Sequence, residues 1–159
     1  MTSGEYFKSL RIIHAALTIG VAFFTLVSIF IQMKGFKSID SHAKLIFLFI
    51  VPSLALAGII SSNFVFKKRI TKIKYQLDLK GKMDQYRSAV IIKLALIEAP
   101  AFFTVITFLL TGDYLFIGIA FLLIIVFLLY TPTKAKFTKE LELKISEIEI
   151  INNPQSTIQ

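Results

Sequence analysis

The chain of 159 residues contains no cysteine, no tryptophan and only two histidines. Without cysteine it has no disulfide framework, no thiolate nucleophile and no thiolate metal ligand. We also find no glycine-rich phosphate loop, no paired carboxylates and no His-Glu metal pattern. No serine, histidine and aspartate could meet on one side of a membrane to form a catalytic set. The sequence therefore predicts neither an enzyme nor a cofactor.

Charge is also scarce, since charged residues make up only 18% of the chain against 55% hydrophobic residues, 16 of them phenylalanine. The mean hydropathy is +0.73. A soluble fold of this composition would leave too much apolar surface exposed to water. The composition therefore indicates a membrane protein.

Four apolar stretches approach or reach the roughly 17–20 residues needed to cross a bilayer. They cover about 12–31, 45–66, 89–110 and 115–130. The turn Thr111-Gly112-Asp113 is so short that the third and fourth stretches must form an antiparallel hairpin. We therefore predict an all-α integral membrane four-helix bundle, made of two tandem helical hairpins in a single domain over 1–151.

The 18 basic residues indicate the orientation of these spans. Fourteen precede span one, lie between spans two and three, or follow span four; Lys34, Lys37 and Lys44 fall on the other side, and Lys93 lies inside span three. Cytoplasmic loops carry the excess of lysine and arginine. Both termini and the 67–87 connector are therefore predicted to be cytoplasmic, in a bacterial inner membrane. His14 and His42 then lie on opposite sides of the membrane, so no metal site is expected.

The connector 67–87 carries most of this positive charge. Attraction to anionic lipid headgroups accounts for its basic run, which begins with Lys67, Lys68, Arg69, Lys72 and Lys74. A phosphate site is the alternative. The basic residues flank apolar spans instead of alternating with aromatic residues, so no nucleic-acid partner is expected.

The tail 134–151 has Phe137, Leu141, Ile145 and Ile148 on one helical stripe. This pattern predicts one amphipathic helix, lying on the membrane or against the connector. The polar residues 152–159 are expected to be disordered.

Spans one and three resemble each other at an offset of 79, where eight of twenty aligned positions are identical. A tandem duplication of a two-helix hairpin would produce such a parallel repeat. In this alignment Glu98 replaces Ile19 and Pro100 replaces Val21. The acid is thus a feature of the second copy alone.

Glu98 lies near the middle of span three, where an ionised carboxylate needs a partner. Pro100 removes the amide that would bond to the Leu96 carbonyl, so a protonated Glu98 has an acceptor nearby, with Thr18 as another partner. Pro100 and Pro52 are also the predicted helix kinks. Glu98 is either a structural, protonated acid or a proton- or cation-binding site.

Span one carries a polar stripe that includes His14, Thr18 and Thr25. Such side chains pack inward and bond to neighbouring helices, or they line a hydrated path in which His14 exchanges protons. In span two, Ser53, Ala57 and Ser61 form a small-residue face for packing within the chain or for self-association.

Residues 95–109, beginning Ala95-Leu-Ile-Glu-Ala-Pro-Ala-Phe-Phe103, resemble the carboxylate helix of rotary-ATPase proteolipids. That resemblance implies that Glu98 binds the transported ion. Proteolipids carry the acid on the second helix of a hairpin and pair it with a glycine-rich helix, whereas Glu98 lies on the first helix and span one is not glycine-rich.

Over its whole length the chain is similar to small uncharacterised four-helix inner-membrane proteins of Bacteroidota. The similarity is carried by Tyr6-Phe-Lys-Ser-Leu-Arg-Ile-Ile-His14 and by the Ala-Leu-Ile-Glu segment. We expect a non-enzymatic structural or accessory subunit of a membrane assembly, as a homo-oligomer or with other membrane subunits. The alternative is a small proton- or cation-handling protein that uses Glu98.

Overall fold

The computed structural model describes residues 2–36, 41–75 and 78–156, with the backbone alone for 41–43. The protein is all-helical, which confirms the predicted class: of the described residues, 87% are in helices and none is in a strand. In chain order the helices are α1 Ser3–Met33, α2 Ser41–Lys74, α3 Leu79–Thr111, α4 Tyr114–Leu129, α5 Lys134–Leu141 and α6 Ile145–Asn152.

Local chemistry explains where most of these helices begin and end. Thr2 and Glu5 form a capping box at the start of α1, and the Asp78 carboxylate accepts from the Gly81 amide at the start of α3. Gly112 ends α3 in the left-handed region at φ 67°, where glycine carries no steric penalty. Asp113 then caps α4 by accepting from the Leu115 amide.

Helix α3 lies at the centre of the molecule and packs against α1, α2 and α4. Its buried side chains run along nearly its whole length, whereas α1, α2 and α4 each expose many large apolar residues. Both internal prolines, Pro52 in α2 and Pro100 in α3, lie within unbroken helices.

Three helices, α1, α2 and α3, are long and apolar enough to cross a membrane. Helix α4 has 16 residues, about 24 Å at 1.5 Å per residue, against about 30 Å of hydrocarbon. It reaches the required length only when taken together with α5, from which it is bent by 75°.

The helices place the charged segments at two ends of the molecule. One end, here called the basic end, gathers the start of α1, the α2–α3 connection, α5 and α6. Ion pairs join Lys74 to Glu142 at 2.6 Å and Lys82 to Glu147 at 2.7 Å there. At the opposite end, Lys44 pairs with Asp113 at 2.9 Å and lowers the pKa of that carboxyl.

The tail differs from the single predicted helix. Glu142 adopts a left-handed conformation at φ 49°, which ends α5. Leu141 and Leu143 on either side are both buried, so the break places two leucines in the core. Ile145, which the helical stripe predicted to be on the apolar face, is 78% exposed because α6 begins there in a new direction.

Residues 152–156, which belong to the segment predicted to be disordered, have defined backbone contacts in the structure. The amides of Gly4 and Ser3 donate to the carbonyls of Pro154 and Ser156, both at 3.2 Å. The tail is therefore attached to the start of α1. Residues 157–159 of the predicted disordered segment lie outside the described residues.

Candidate functional site

Helices α1 and α3 run parallel, with contacts at matching positions along their whole length. The Tyr6 hydroxyl donates to the Met83 carbonyl at 2.5 Å, and the Phe24 and Phe102 rings lie 5.5 Å apart. Near the opposite end the Gln32 amide donates to the Leu109 carbonyl at 2.5 Å. These contacts join residues 77 or 78 apart, close to the repeat offset of 79. Positions that the sequence alignment of spans one and three pairs therefore lie close together.

Glu98 lies at the border between the α1-packed and the exposed faces of α3. At this register it is level with Gly20 of α1, one turn from the Phe24–Phe102 contact. The side chain is only partly buried, and among the described residues its carboxylate takes part in no hydrogen bond or ion pair. Glu98 is therefore a half-buried acid without an ion-pair partner among the described residues.

The segment around Glu98 is held on its other side by α2. A Cβ atom added to Gly58 would lie 2.7 Å from the Pro100 Cγ and 2.8 Å from the Leu96 carbonyl oxygen. Helix α2 therefore approaches α3 closely at the turn where Pro100 cannot donate a backbone hydrogen bond to the Leu96 carbonyl. The Leu96 carbonyl, which the sequence offered as an acceptor for Glu98, is covered by this glycine.

His14 contacts α4, whereas Thr18 bonds within α1. The His14 Nε2 atom lies 2.8 Å from the Phe127 carbonyl oxygen, and the Thr18 hydroxyl donates to the His14 carbonyl at 2.8 Å. His14 is six residues, about 9 Å along the axis, from the level of Glu98. Both side chains therefore bond to backbone carbonyls, and among the described residues no hydrogen bond joins either of them to Glu98.

The rest of the polar stripe is mostly satisfied by the backbone. Thr25 donates to Val21 at 2.8 Å, and on α3 Thr104 donates to Pro100 at 2.7 Å. In the described structure, Ser28 Oγ is the one buried side-chain oxygen without a partner. The Thr25 and Thr104 hydroxyls therefore bond to the backbone of their own helices.

Lys93 points away from Glu98, toward the basic end. Its Nζ atom lies 3.8 Å from the centre of the Tyr130 ring and 4.4 Å from that of Phe66. Such cation–π contacts hold an ammonium group against apolar surface. The Tyr130 hydroxyl in turn accepts from the Asn63 amide at 2.7 Å.

The small-residue face of α2 lies on the outside of the molecule. Ser53 and Ala57 are exposed and Ser61 is partly buried; Phe49 and Leu54 flank them on an open surface. The inward face of α2 carries Ala55 instead, with Gly58 against α3. Ser53 and Ala57 therefore do not pack within the chain, and self-association through them stays a prediction.

The structure forms an aromatic cluster at the basic end that no sequence motif predicted. Phe137 of α5 is fully buried and meets Tyr6, Phe7 and Tyr86 edge to face, with ring centres 4.7–6.3 Å apart. The Tyr86 hydroxyl donates to Glu140 at 2.7 Å. Burial raises the pKa of both Tyr6 and Tyr86 well above the usual range, so both hydroxyls stay donors. The apolar stripe of the tail, which includes Phe137, was the signal for this cluster, because it predicted that the tail could lie against the connector that contains Tyr86.

The five basic residues that begin the connector have different surroundings. Lys74 is paired with Glu142. Lys67 lies beside Lys93 and Glu140 in a cavity on one side of α2. Lys68, Arg69 and Lys72 line a separate cleft of about 580 Å³ between α2 and α3.

Within the described residues there is no group of three histidine, aspartate or glutamate side chains that could bind a metal ion. Comparison of the chain with protein-family models, curated proteins and solved structures finds no match.

Proposed function

We propose that this protein is an integral membrane protein with four crossings that serves as a non-catalytic structural or accessory subunit of a membrane assembly. Its own four-helix bundle spans a bacterial inner membrane. The basic end lies in the cytoplasm with both termini, and it contacts anionic headgroups.

A wide apolar outer surface supports the membrane part of the proposal. Exposed apolar side chains cover the long helices, including Ile19, Phe23 and Leu26 on α1 and Phe49, Leu56 and Ile60 on α2. On α4, Phe121, Leu122 and Ile125 are also exposed. In water such a surface would aggregate, whereas in a bilayer it meets lipid.

The crossing of α4 is supported by where its ends lie. Asp113 at its start pairs with Lys44 at the opposite end, whereas α5 directly after it packs on the basic end. The chain must therefore travel the length of the bundle through α4. Lys136 donates to the carbonyls of Leu129 and Thr131, which satisfies backbone groups where this short helix ends.

The hydrogen bonding of the buried polar residues is the observation that carries the accessory role. Transport needs a continuous polar path, but His14, Thr18, Thr25 and Thr104 each bond to a backbone carbonyl within the bundle. Apart from the buried Ser28 Oγ, two features have no partner within the described residues: the Ser53–Ala57 face, which is exposed, and Glu98, which is half-buried. Small residues allow close helix approach, so this outer face of α2 suits a neighbouring subunit or a second copy.

Association through the outer face of α2 tests this role. Ala57→Trp should remove most of the protein's association with itself or with co-purifying membrane subunits in mild detergent, because the indole prevents close approach. Gly118→Trp is the control, since Gly118 is also exposed and has nothing within 4 Å of an added Cβ atom. Equal association of both variants with the wild type would contradict the proposal.

The second candidate function, proton or cation handling, is favoured by the unpartnered carboxylate of Glu98 alone. Glutamine keeps the volume but cannot release a proton. For an accessory subunit we expect equal proton flux through reconstituted vesicles of wild type and Glu98→Gln. A flux that the wild type supports and folded Glu98→Gln abolishes would establish ion handling instead.

A further inference from the structure

The cleft between α2 and α3 at the basic end combines three positive charges with an apolar wall. Lys68, Arg69 and Lys72 line it from α2, Gln85 lines it from α3, and Phe64 and Val65 form the apolar part. None of its lining residues is acidic. Its volume of about 580 Å³ is large enough for a phosphate group and the atoms attached to it.

The tail neutralises other cations of the connector but not these three. Glu142 and Glu147 pair with Lys74 and Lys82. In the described part of the chain no ion pair involves Lys68, Arg69 or Lys72, and all three side chains are exposed. The fold thus balances the charge on the tail side of the connector and leaves a concentrated positive charge in the cleft.

The order of residues along α2 matches the layers of a bilayer. Phe64 is 67% exposed and lies at the end of the apolar stretch, with Ile60 one turn deeper and similarly exposed. Lys68 and Lys72 follow Phe64 by four and eight residues, about 6 and 12 Å along the helix. When Phe64 lies at the edge of the hydrocarbon, the cations lie in the headgroup layer, which is several ångströms thick.

We propose that this cleft binds the phosphate headgroup of an anionic phospholipid, with an acyl chain of the lipid along Phe64 and Ile60. The planar guanidinium of Arg69 can donate two parallel hydrogen bonds to phosphate oxygens, and the two lysines add positive charge. Gln85 supplies a neutral donor from α3. This site rests on the proposed membrane insertion. It assigns the attraction between the basic end and anionic headgroups to three residues that line one cleft.

A lipid titration of the full-length chain in neutral detergent tests the cleft. The thermal unfolding midpoint is followed as phosphatidylglycerol or cardiolipin is added, with phosphatidylcholine as the neutral lipid. We expect the anionic lipids to raise the midpoint of the wild type and phosphatidylcholine not to. In Lys68→Gln/Arg69→Gln/Lys72→Gln the apparent affinity for anionic lipid should fall at least about tenfold, because the phosphate loses the charge-assisted hydrogen bonds of the cleft.

A matched variant removes the same charge elsewhere. Lys8→Gln/Lys80→Gln/Lys139→Gln also loses three cations from the basic end, all exposed and outside the cleft. It should bind anionic lipid within about twofold of the wild type. Gln85→Trp retains every charge but fills the cleft, so it should also weaken binding. Equal weakening of both triple variants would show a diffuse charge effect and overturn the site.

A soluble ligand is separated from a lipid by adding inorganic phosphate and glycerol 3-phosphate to the same assay. Neither should shift the midpoint at concentrations where the lipid does, because neither has an acyl chain for Phe64 and Ile60. Equal shifts would overturn the lipid assignment, as would no shift with any anionic lipid. Recovery of the chain in the soluble fraction without detergent would contradict the membrane function itself, whereas a membrane-embedded chain with unchanged lipid affinity contradicts only the cleft.

Discussion

At the scale of single residues, the interior of the protein is organised by close backbone approach and by hydrogen bonds to carbonyls. Gly58 lies against Pro100 and Leu96 with no room for a side chain. Buried hydroxyls such as Thr25 and Thr104 bond to the carbonyl one turn earlier in their own helix. In a membrane these bonds matter because no water is present to replace them.

The tight contact at Gly58 predicts a steric cost. Gly58→Ala should lower the free energy of unfolding by about 1–3 kcal/mol, because the new methyl group forces α2 and α3 apart. Thermal unfolding in detergent measures this loss. Gly118→Ala, where nothing lies within 4 Å, should be neutral or stabilising by up to about 1 kcal/mol through helix propensity. A neutral Gly58→Ala would show that the two helices are not in contact at this point.

At the scale of elements, the docked tail is the feature that distinguishes the basic end. Helices α5 and α6 are short, and each would be unstable alone in water. Phe137 and Ile151 are fully buried, and the Lys82–Glu147 pair connects α6 to the start of α3. The tail therefore holds the ends of α1, α2 and α3 together.

The ion pair of α6 predicts a pH dependence. Burial alone would raise the pKa of Glu147, but bonds from the Lys82 ammonium and the Lys144 amide outweigh it and lower the pKa below its ordinary 4.5. The docked tail then binds fewer protons than the free tail. Its stability is fully present above about pH 4.5 and is lost as the pH falls through the lower, folded pKa.

Hydrogen exchange of the α6 amides, corrected for the intrinsic effect of pH, measures this change. Protection should fall between pH 5 and pH 3 in the wild type, by an amount that shrinks in Glu147→Gln. The matched variant Glu149→Gln, on the exposed side of α6, should keep the dependence of the wild type. The same pH dependence in all three proteins would exclude Glu147 as its source.

At the scale of the whole molecule, the two ends differ in charge, and α3 is the helix that packs against α1, α2 and α4. The parallel contacts of α1 and α3 join residues at nearly the offset of 79 at which their sequences resemble each other. The two hairpins do not pack symmetrically, because α2 and α4 both lie mainly on α3 and α4 contacts α1 less. Helix α3 is therefore the centre of the molecule.

The charge difference between the ends predicts a topology that cysteine labelling can test in a chain without native cysteine. With an impermeant thiol reagent on intact cells, Lys34→Cys and Tyr114→Cys should react. Lys80→Cys and Lys139→Cys should react only after permeabilisation, because both lie at the basic end. Labelling of Lys139→Cys from outside would show that α4 does not cross the membrane, and the fully reversed pattern would overturn the orientation.

The sequence alone was sufficient for the helical class, because long apolar runs and charge placement are local properties of the chain. The turn between α3 and α4 was also readable from it, since Gly112 and Asp113 act through their own backbone. The starts of α1 and α3 and the break in the tail were not, because the apolar runs are shorter than the helices that contain them. The duplication of the two hairpins stays a prediction.

Only the tertiary structure decided which face of each helix is inside. Apolar residues cover all sides of α2, so the sequence pattern could not separate the exposed Ser53 and Ala57 from the inward Ala55 and Gly58. The tertiary structure also decided that His14 and Thr18 bond to backbone carbonyls instead of to Glu98. A helical wheel could not show this, because it does not give the neighbours of each face. The break at Glu142 allows Leu141 and Leu143 to be buried together against helices that are distant in sequence. The residues next to Glu142 in the sequence do not show this stabilisation, because it depends on those distant helices.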